Sequence, residues 1–224
     1  VKDGNNIFYW NLVYPGAEKI KGMILWWASL SGPVALPGKY TVELSVNGKK
    51  LREEFSILKN PMSETTLADM KAQFDFITSI NTKMSEIHKA LKNVTKVRAQ
   101  VNLLKKSIKD TVKHKDILAY ADNLVKDITS IEETLYQTKS KSNQDPLNFP
   151  IRLNNKLAAL LGVAGGGEWA PTKQAEDVRV ELTTQIDAQL ATLKGLMEND
   201  LPAFNRLVKE KSVDAIILKK RSEK

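Results

Sequence analysis

The 224-residue chain contains 42% hydrophobic and 27% charged residues, proportions that are ordinary for a globular protein and exclude disorder over most of its length. It has no cysteine, which excludes disulfides and thiolate zinc sites but leaves the cellular compartment open. The net charge of +8 is spread along the chain among Asp and Glu residues, so it does not predict a nucleic-acid partner. The densest basic cluster, Lys219, Lys220 and Arg221, is typical of a frayed terminus.

Two regions of different character follow one another along the chain. Residues 1–60 are rich in aromatic residues and turn signals, whereas residues 61–224 carry helical periodicity. We therefore expect an α+β protein, with a small antiparallel β module at 1–60 and a helical bundle at 61–224. No apolar run approaches the roughly 20 residues that a membrane span needs. Because the sequence begins at Val1 without a leader-like segment, we expect a fragment of a longer polypeptide.

Two apolar runs near the start of the chain have strand character. Residues 5–14 are aromatic and β-branched and end at Pro15-Gly16, and residues 23–30 end at Ser31-Gly32-Pro33. The second run contains Trp26 and Trp27. Because neighbouring residues on a strand face opposite sides, one of these two indoles is expected in the core and the other outside it.

A hairpin is the clearest local prediction. Residues 40–46 alternate strictly between apolar and polar, and Asn47-Gly48 separates them from residues 51–58. Both central positions of a type I′ turn need a positive φ, which Asn-Gly adopts readily. The hairpin should have one apolar face that needs a cover, because three or four strands alone cannot bury it well.

The rest of the chain predicts three long helices that run up, down and up. The first should begin near Ser63, a candidate N-cap, and end near Lys109, because apolar residues recur every seven positions between them. The second should span about 116–140 and return antiparallel to the first. These segments favour an antiparallel three-helix bundle.

The last part of the bundle is interrupted by glycine and proline. A shorter helix is predicted at 151–161, closed by Gly162. Pro171 should begin the final long helix, where its missing N–H costs little. Pro202 should kink or split that helix near Asn199.

The amino-terminal region resembles the later strands of an Ig-like β-sandwich module of the flagellar-hook-capping type. The resemblance lies in a Trp strand at Trp10-Asn11-Leu12, a Gly-Lys-Tyr-Thr-Val strand at 38–42 and a final hairpin through Asn47-Gly48 to Phe55-Ser56-Ile57. It covers only the second half of such a module. It therefore implies a partial Ig-like sandwich whose earlier strands would lie upstream.

A second resemblance covers residues 133–157, which contain Glu-Thr-Leu-Tyr-Gln-Thr-Lys and Gln-Asp-Pro-Leu-Asn-Phe-Pro-Ile-Arg-Leu-Asn-Asn-Lys-Leu. This stretch is similar to the carboxy-terminal region of bacterial sortilin-like or BNR-repeat β-propeller proteins, often labelled glycosyl hydrolases. The resemblance implies an upstream propeller that carries any substrate site, and a periplasmic, cell-surface or secreted location. No Asp-box of a propeller blade occurs in the chain, so no catalytic residue carries over.

Candidate ligand-binding residues fall in two places. Trp26 or Trp27 could stack on a sugar ring, although packing in the interior explains them as well. The second place is the loop and helix start that contain Asn148, Phe149, Arg152 and Asn154. This loop could instead be held between helices by its own side chains.

The sequence predicts no catalytic residue, cofactor or metal ligand, since its two histidines lack the spacing of a metal site or triad. We expect a non-catalytic spacer or docking module of an exported β-propeller protein. Its partners would be that propeller, another protein or a second copy. The alternative is an accessory carbohydrate-binding module of a linked hydrolase.

Overall fold

The computed structural model describes residues 4–211 and 213, so the expectations about Val1 and about the basic cluster at 219–221 lie outside the described residues. The protein is α+β, as predicted. The described residues contain a two-stranded antiparallel sheet, four α-helical segments and a short 3-10 turn, Asp145–Leu147. The strands are β1 (Gly38–Val46) and β2 (Lys49–Ile57). The first three helices are α1 (Leu67–Ser107), α2 (Lys115–Leu135) and α3 (Leu153–Ala164). The fourth helical segment consists of α4 (Lys173–Gly195), a π turn (Leu196–Asp200) and α5 (Leu201–Glu210).

The predicted hairpin is confirmed. β1 and β2 pair antiparallel from Gly38 opposite Ile57 to Val46 opposite Lys49. Asn47 and Gly48 form the turn with φ values of 50° and 79°, the left-handed conformation that this residue pair adopts at low cost. We call this two-stranded unit the ribbon. Among the described helices and strands, β1 and β2 pair only with each other, so the ribbon stands away from the helices.

The Ig-like sandwich is a wrong prediction for the described residues, which form no second sheet. Residues 5–14 and 23–30 do not form strands; Val13 makes one isolated antiparallel bridge to Val34. The physical reason is that the second run turns at Trp26 and Trp27 and makes hydrogen bonds to helix side chains in place of a ladder. We call residues 14–31 the strap, because they lie across α1 and α3.

The first helix begins at Leu67, and its N-cap is Thr66 instead of Ser63. The Thr66 hydroxyl accepts a hydrogen bond from the Asp69 N–H at 3.1 Å, and the Asp69 carboxylate accepts from the Thr66 N–H at 3.4 Å. This reciprocal capping box satisfies two amide groups, which a Ser63 cap without an acidic partner three residues on could not do. The helix then runs to Ser107, close to the predicted end.

The helices form a four-membered core, so the expectation of a three-helix bundle is wrong. α3, predicted as a minor helix, packs against both α1 and α4. It does not end at Gly162 but continues to Ala164, where Gly165 caps it. Its composition explains this role, because eight of its twelve residues are buried and its exposed side is confined to Lys156, Gly162 and Val163. The buried residues are Leu153, Asn154, Asn155, Leu157, Ala158, Leu160, Leu161 and Ala164.

The remaining helices follow the predicted path with different ends. α2 stops at Leu135, earlier than the predicted residue 140. The last helix begins at Lys173 with Thr172 as its N-cap, two residues after Pro171. It passes Pro202 without a break, because the π turn immediately before it lets the Leu201 N–H reach the Leu196 carbonyl. This wider turn accommodates the proline ring. No helix in the described part of the chain is long and apolar enough to cross a bilayer.

Candidate functional site

A row of polar side chains on α1 holds the strap to the helical core. The Asn81 side chain accepts a hydrogen bond from the Ala17 N–H at 3.2 Å and donates to the Ser31 carbonyl at 2.9 Å. One turn further along, the Ser85 hydroxyl accepts from the Glu18 N–H at 2.9 Å. Buried backbone groups need such partners, because leaving one unpaired costs about 1–3 kcal/mol. The strap is therefore fixed to α1 through its backbone.

His88 extends the same row, and its imidazole has no exposed surface. Its Nδ1 lies 2.5 Å from the Glu18 carbonyl oxygen, to which the neutral ring donates, while its Nε2 is buried without a hydrogen-bond partner in the described structure. Burial away from water lowers the pKa of His88, because the charged form loses its hydration. Lys92, the next polar residue on this side, forms an ion pair with the Glu18 carboxylate.

The start of α3 binds the other end of the strap. The Asn155 side chain accepts from the Trp26 N–H at 2.6 Å and donates to the Trp26 carbonyl at 2.9 Å. Its neighbour Asn154 is buried and donates to the Met23 sulfur at 3.5 Å. These contacts place the turn of the strap against the first turn of α3.

An aromatic series connects the ribbon to α1. Tyr40 and Phe55 stack at 5.8 Å on one face of the ribbon, and the Trp10 indole meets both rings edge-on at 5.8 and 6.4 Å. Trp10 contacts Tyr14 at 6.3 Å, and Tyr14 contacts Phe74 of α1 at 5.2 Å. Edge-to-face pairs of this kind add about 0.5–1.5 kcal/mol each beyond area burial. We call these five residues the aromatic bridge.

Beyond the aromatic bridge, the apolar face of the ribbon is open. Cross-strand pairs on this face are Val42–Glu53, Leu44–Leu51 and Val46–Lys49, and we call these six residues the open stretch. Leu44 is 54% exposed and Leu51 68% exposed. A lone hairpin is marginally stable in water, and an apolar face on it loses stabilisation while it stays hydrated. The described structure therefore leaves this apolar face in contact with water.

The opposite face of the ribbon is polar and complete. The Glu43 carboxylate binds both Lys50 and Arg52 across the hairpin at 2.8 Å. These two cations lower the pKa of Glu43, so it stays ionised at neutral pH. The ribbon therefore has one face suited to water and one that is not.

A cavity of about 630 Å³ lies where the ribbon joins the helices. Its walls come from the Val13–Val34 bridge, the end of β2, the first turns of α1 and the end of α3. Gln73 crosses the α1–α3 side and donates to the Ala164 and Gly167 carbonyls. Most of the lining is apolar, and its described charged residues are Lys59 and Glu168. It carries no constellation of acids, bases or nucleophiles.

Two of the sequence-predicted site residues meet at the start of α3. Trp27 is 88% exposed and has a φ of 51°, whereas Trp26 is half-buried. Their rings meet edge-on at 6.4 Å. Asn154 is fully enclosed beneath the strap, so it supports this turn and does not face solvent. The indole of Trp27 is the part of this group that a ligand can reach.

The other predicted residues lie on a loop that is held by its own side chains. Lys139 lies over the Phe149 ring at 6.0 Å, and Asn148 and Arg152 are exposed. Asp145 accepts hydrogen bonds from the Lys141 N–H and from the backbone and hydroxyl of Ser142. Among the described contacts, none joins Asn148, Phe149 or Arg152 to Trp26 or Trp27.

The sequence prediction missed the residues that position the strap. Asn81, Ser85 and His88 recur at helical spacing within the apolar seam of α1, and Asn155 lies on the most apolar helix. Polar residues on a buried helix side signal backbone partners from another segment. No group of three or more His, Asp or Glu side chains in the described residues is arranged to hold a metal ion.

No protein-family model, curated protein or solved structure matches the chain.

Proposed function

We propose that this chain is a non-catalytic spacer and docking module, in which the helical core holds a β ribbon whose apolar face receives a partner. The observation that carries the proposal is the open stretch, with Leu44 and Leu51 more than half exposed on a ribbon that contacts no helix. Hydrated apolar faces of this kind mark interaction sites in folded proteins.

The attachment of the ribbon supports a presenting role. The aromatic bridge connects the base of the ribbon to α1 through Trp10 and Tyr14, and the strap that begins at Tyr14 is itself bound to α1. The described contacts give the tip of the ribbon no such connection. A module of this form positions its docking face at a fixed place relative to the helices. It needs no catalytic group to do so, and we propose no enzymatic activity for it.

The wider setting follows from the resemblance to bacterial propeller proteins. In this proposal an upstream propeller carries any substrate site of the parent, and the parent is exported to the periplasm, the cell surface or the medium. The module then serves as a spacer and an assembly surface next to the propeller.

Thiol labelling in cells tests the docking function, because the chain has no cysteine of its own. A Leu51→Cys variant places one thiol on the open stretch, and Ser45→Cys places a matched thiol on the polar face of the same strand pair. In cells that express the complete polypeptide, we expect Leu51→Cys to be protected from maleimide and Ser45→Cys to react. Equal reactivity of both thiols, in cells and in the purified dilute protein, would contradict docking at this face.

The same variants test the location. A membrane-impermeant maleimide should label Ser45→Cys in intact cells when the parent is exported. Labelling that appears only after lysis would contradict export.

Carbohydrate binding is a second candidate function, favoured by Trp27. Its indole is 88% exposed on a turn with positive φ and offers a flat surface for stacking on a sugar ring. Asn155 fixes this turn, because its side chain binds the backbone of the neighbouring Trp26. Saturable binding to a glycan panel that disappears in Trp27→Ala, with an unchanged circular dichroism spectrum, would support it. Binding that is absent, or that persists in Trp27→Ala, would exclude this indole as the site.

A further inference from the structure

The two charged residues of the open stretch lie symmetrically about its central pair. Leu44 and Leu51 form its central pair; Lys49 lies two residues from Leu51 toward the tip of the ribbon, and Glu53 lies two residues toward its base. Side chains two residues apart share a face of a strand, so these three β2 residues form one row. Neither Lys49 nor Glu53 forms an ion pair with another described residue. The face thus presents a cation, a leucine and an anion in order.

We propose that the open stretch docks onto the same stretch of a second copy of this chain, face to face and antiparallel. A twofold axis through the Leu44–Leu51 pair places leucine over leucine. It also places each Lys49 over Glu53 of the second copy, so both unpaired charges gain a partner of opposite sign. This inference rests on the proposed docking function of the ribbon and names its occupant.

Other arrangements of two ribbons do not satisfy these charges. A parallel face-to-face pair, with the axis along the strands, places Val42 over Glu53 and Val46 over Lys49. An antiparallel pair centred on the Val42–Glu53 level places two carboxylates over each other, which is unfavourable. Charge complementarity therefore selects one register, as it does for other self-complementary interfaces.

The aromatic bridge limits how far the second ribbon extends. Trp10 already covers the Tyr40–Phe55 pair, which is the next pair toward the base on the apolar face. In the selected register, the Asn47-Gly48 tip of the second copy ends between the Val42 and Tyr40 levels. The length of the open stretch therefore matches the part of the face that an antiparallel second copy covers.

The small area of contact sets the strength of the dimer. Six residues from each copy are far fewer than the roughly 20–30 residues a side of a standard stable interface. We expect a dissociation constant of about 0.1–1 mM for the isolated chain, in the range of weak and transient contacts.

Sedimentation equilibrium from about 10 µM to about 2 mM tests this inference with a charge exchange. Glu53→Lys and Lys49→Glu should each weaken the dimer about ten-fold, because each creates two like-charged contacts across the axis. The double variant Lys49→Glu/Glu53→Lys should restore the affinity to within about two-fold of the original. Glu54→Lys makes the same charge change on the polar face and should leave the affinity unchanged.

Each other outcome overturns the inference in an identifiable way. A monomer at every concentration excludes the second copy as occupant. If Leu51→Cys is nevertheless protected in cells, the docking function stands and the partner is a different chain. A dimer that responds equally to Glu53→Lys and Glu54→Lys, or that the double variant does not restore, excludes the pairing of Lys49 with Glu53.

Discussion

Asn155 holds both backbone groups of Trp26, accepting from its N–H at 2.6 Å and donating to its carbonyl at 2.9 Å. The two residues are 129 positions apart in the chain. One buried side chain on α3 therefore replaces the ladder partner that a strand would have given to this part of the strap. The hydrogen bonds to Asn155 explain how an apolar, Trp-containing segment stays irregular inside a folded protein.

Asn155→Ala should destabilise the protein by about 2–4 kcal/mol, because it leaves one N–H and one carbonyl without partners at about 1–3 kcal/mol each. Urea unfolding followed by circular dichroism measures this change. Lys156→Ala, at the next and exposed position of α3, should change stability by less than about 0.5 kcal/mol. Similar losses of unfolding free energy in the two variants would show that the hydrogen bonds to Trp26 do not stabilise the fold.

The ion pair between Arg98 and Glu132 joins α1 to α2, and Glu132 is only 7% exposed. Arg98→Ala should cost about 3 kcal/mol, because it leaves a buried carboxylate without its cation. Arg98→Met combined with Glu132→Leu should recover most of that loss, since no charge then remains to be compensated. Thermal unfolding of the original protein, Arg98→Ala and the double variant measures these changes. A double variant as unstable as Arg98→Ala would show that the unpaired carboxylate is not the cause of the loss.

Acid should weaken the attachment of the strap through His88. Burial lowers the folded pKa of His88, and the nearby Lys92 adds to this effect, whereas the hydrogen bond to the Glu18 carbonyl opposes it. The unfolded chain therefore takes up a proton first as pH falls. The stability that this residue contributes is complete above the unfolded pKa of about 6.5 and decreases as pH falls toward the folded value.

Unfolding free energies of the original protein and His88→Gln, measured from pH 7.5 to 5.5, check this sign. The original protein should lose stability as pH falls, and the variant should lose less because glutamine does not titrate. The ion pair of Glu18 with Lys92 lowers the Glu18 pKa, which keeps that carboxylate ionised through this interval. Parallel curves of stability against pH for the two proteins would exclude His88 as the source of the pH dependence.

Trp10→Ala should release the ribbon without unfolding the helices. The indole covers the Tyr40–Phe55 pair and connects it to α1 through Tyr14, and a hairpin without such cover is marginal in water. Hydrogen exchange should accelerate throughout residues 38–57 and stay unchanged in α1 and α2. Exchange that accelerates equally in the helices, or nowhere, would show that the ribbon does not depend on Trp10.

The sequence predicted those parts of the fold that local chemistry determines. Asn47-Gly48 specified the hairpin because its φ requirements are intrinsic to the two residues, and the seven-residue recurrence of apolar side chains specified the extent of α1. Residues 23–30 of the strap were predicted as a strand because their apolar, Trp-containing composition suits a sheet. Its actual partners, Asn81 and Asn155, lie far away in the chain, and no local pattern reports them.

The candidate site was likewise predicted only in part from the sequence. The alternation of residues 40–46 predicted an apolar face that needs a cover, and the open stretch lies on that face. The symmetry of Lys49 and Glu53 about Leu51 emerged only with the register of the hairpin. Among the predicted ligand residues, Asn154 gave no local sign that it would be enclosed beneath the strap.

The long sequence separations of the strap contacts also predict an order of events during folding. Arg98 and Thr129, which join α1 to α2, are 31 residues apart, whereas strap contacts to α1 and α3 span 50 to 131 residues. Closing the larger chain loops costs more entropy and depends on helices that already exist. We therefore expect the α1–α2 hairpin to form before the strap docks, and a stopped-flow tryptophan signal can test this order.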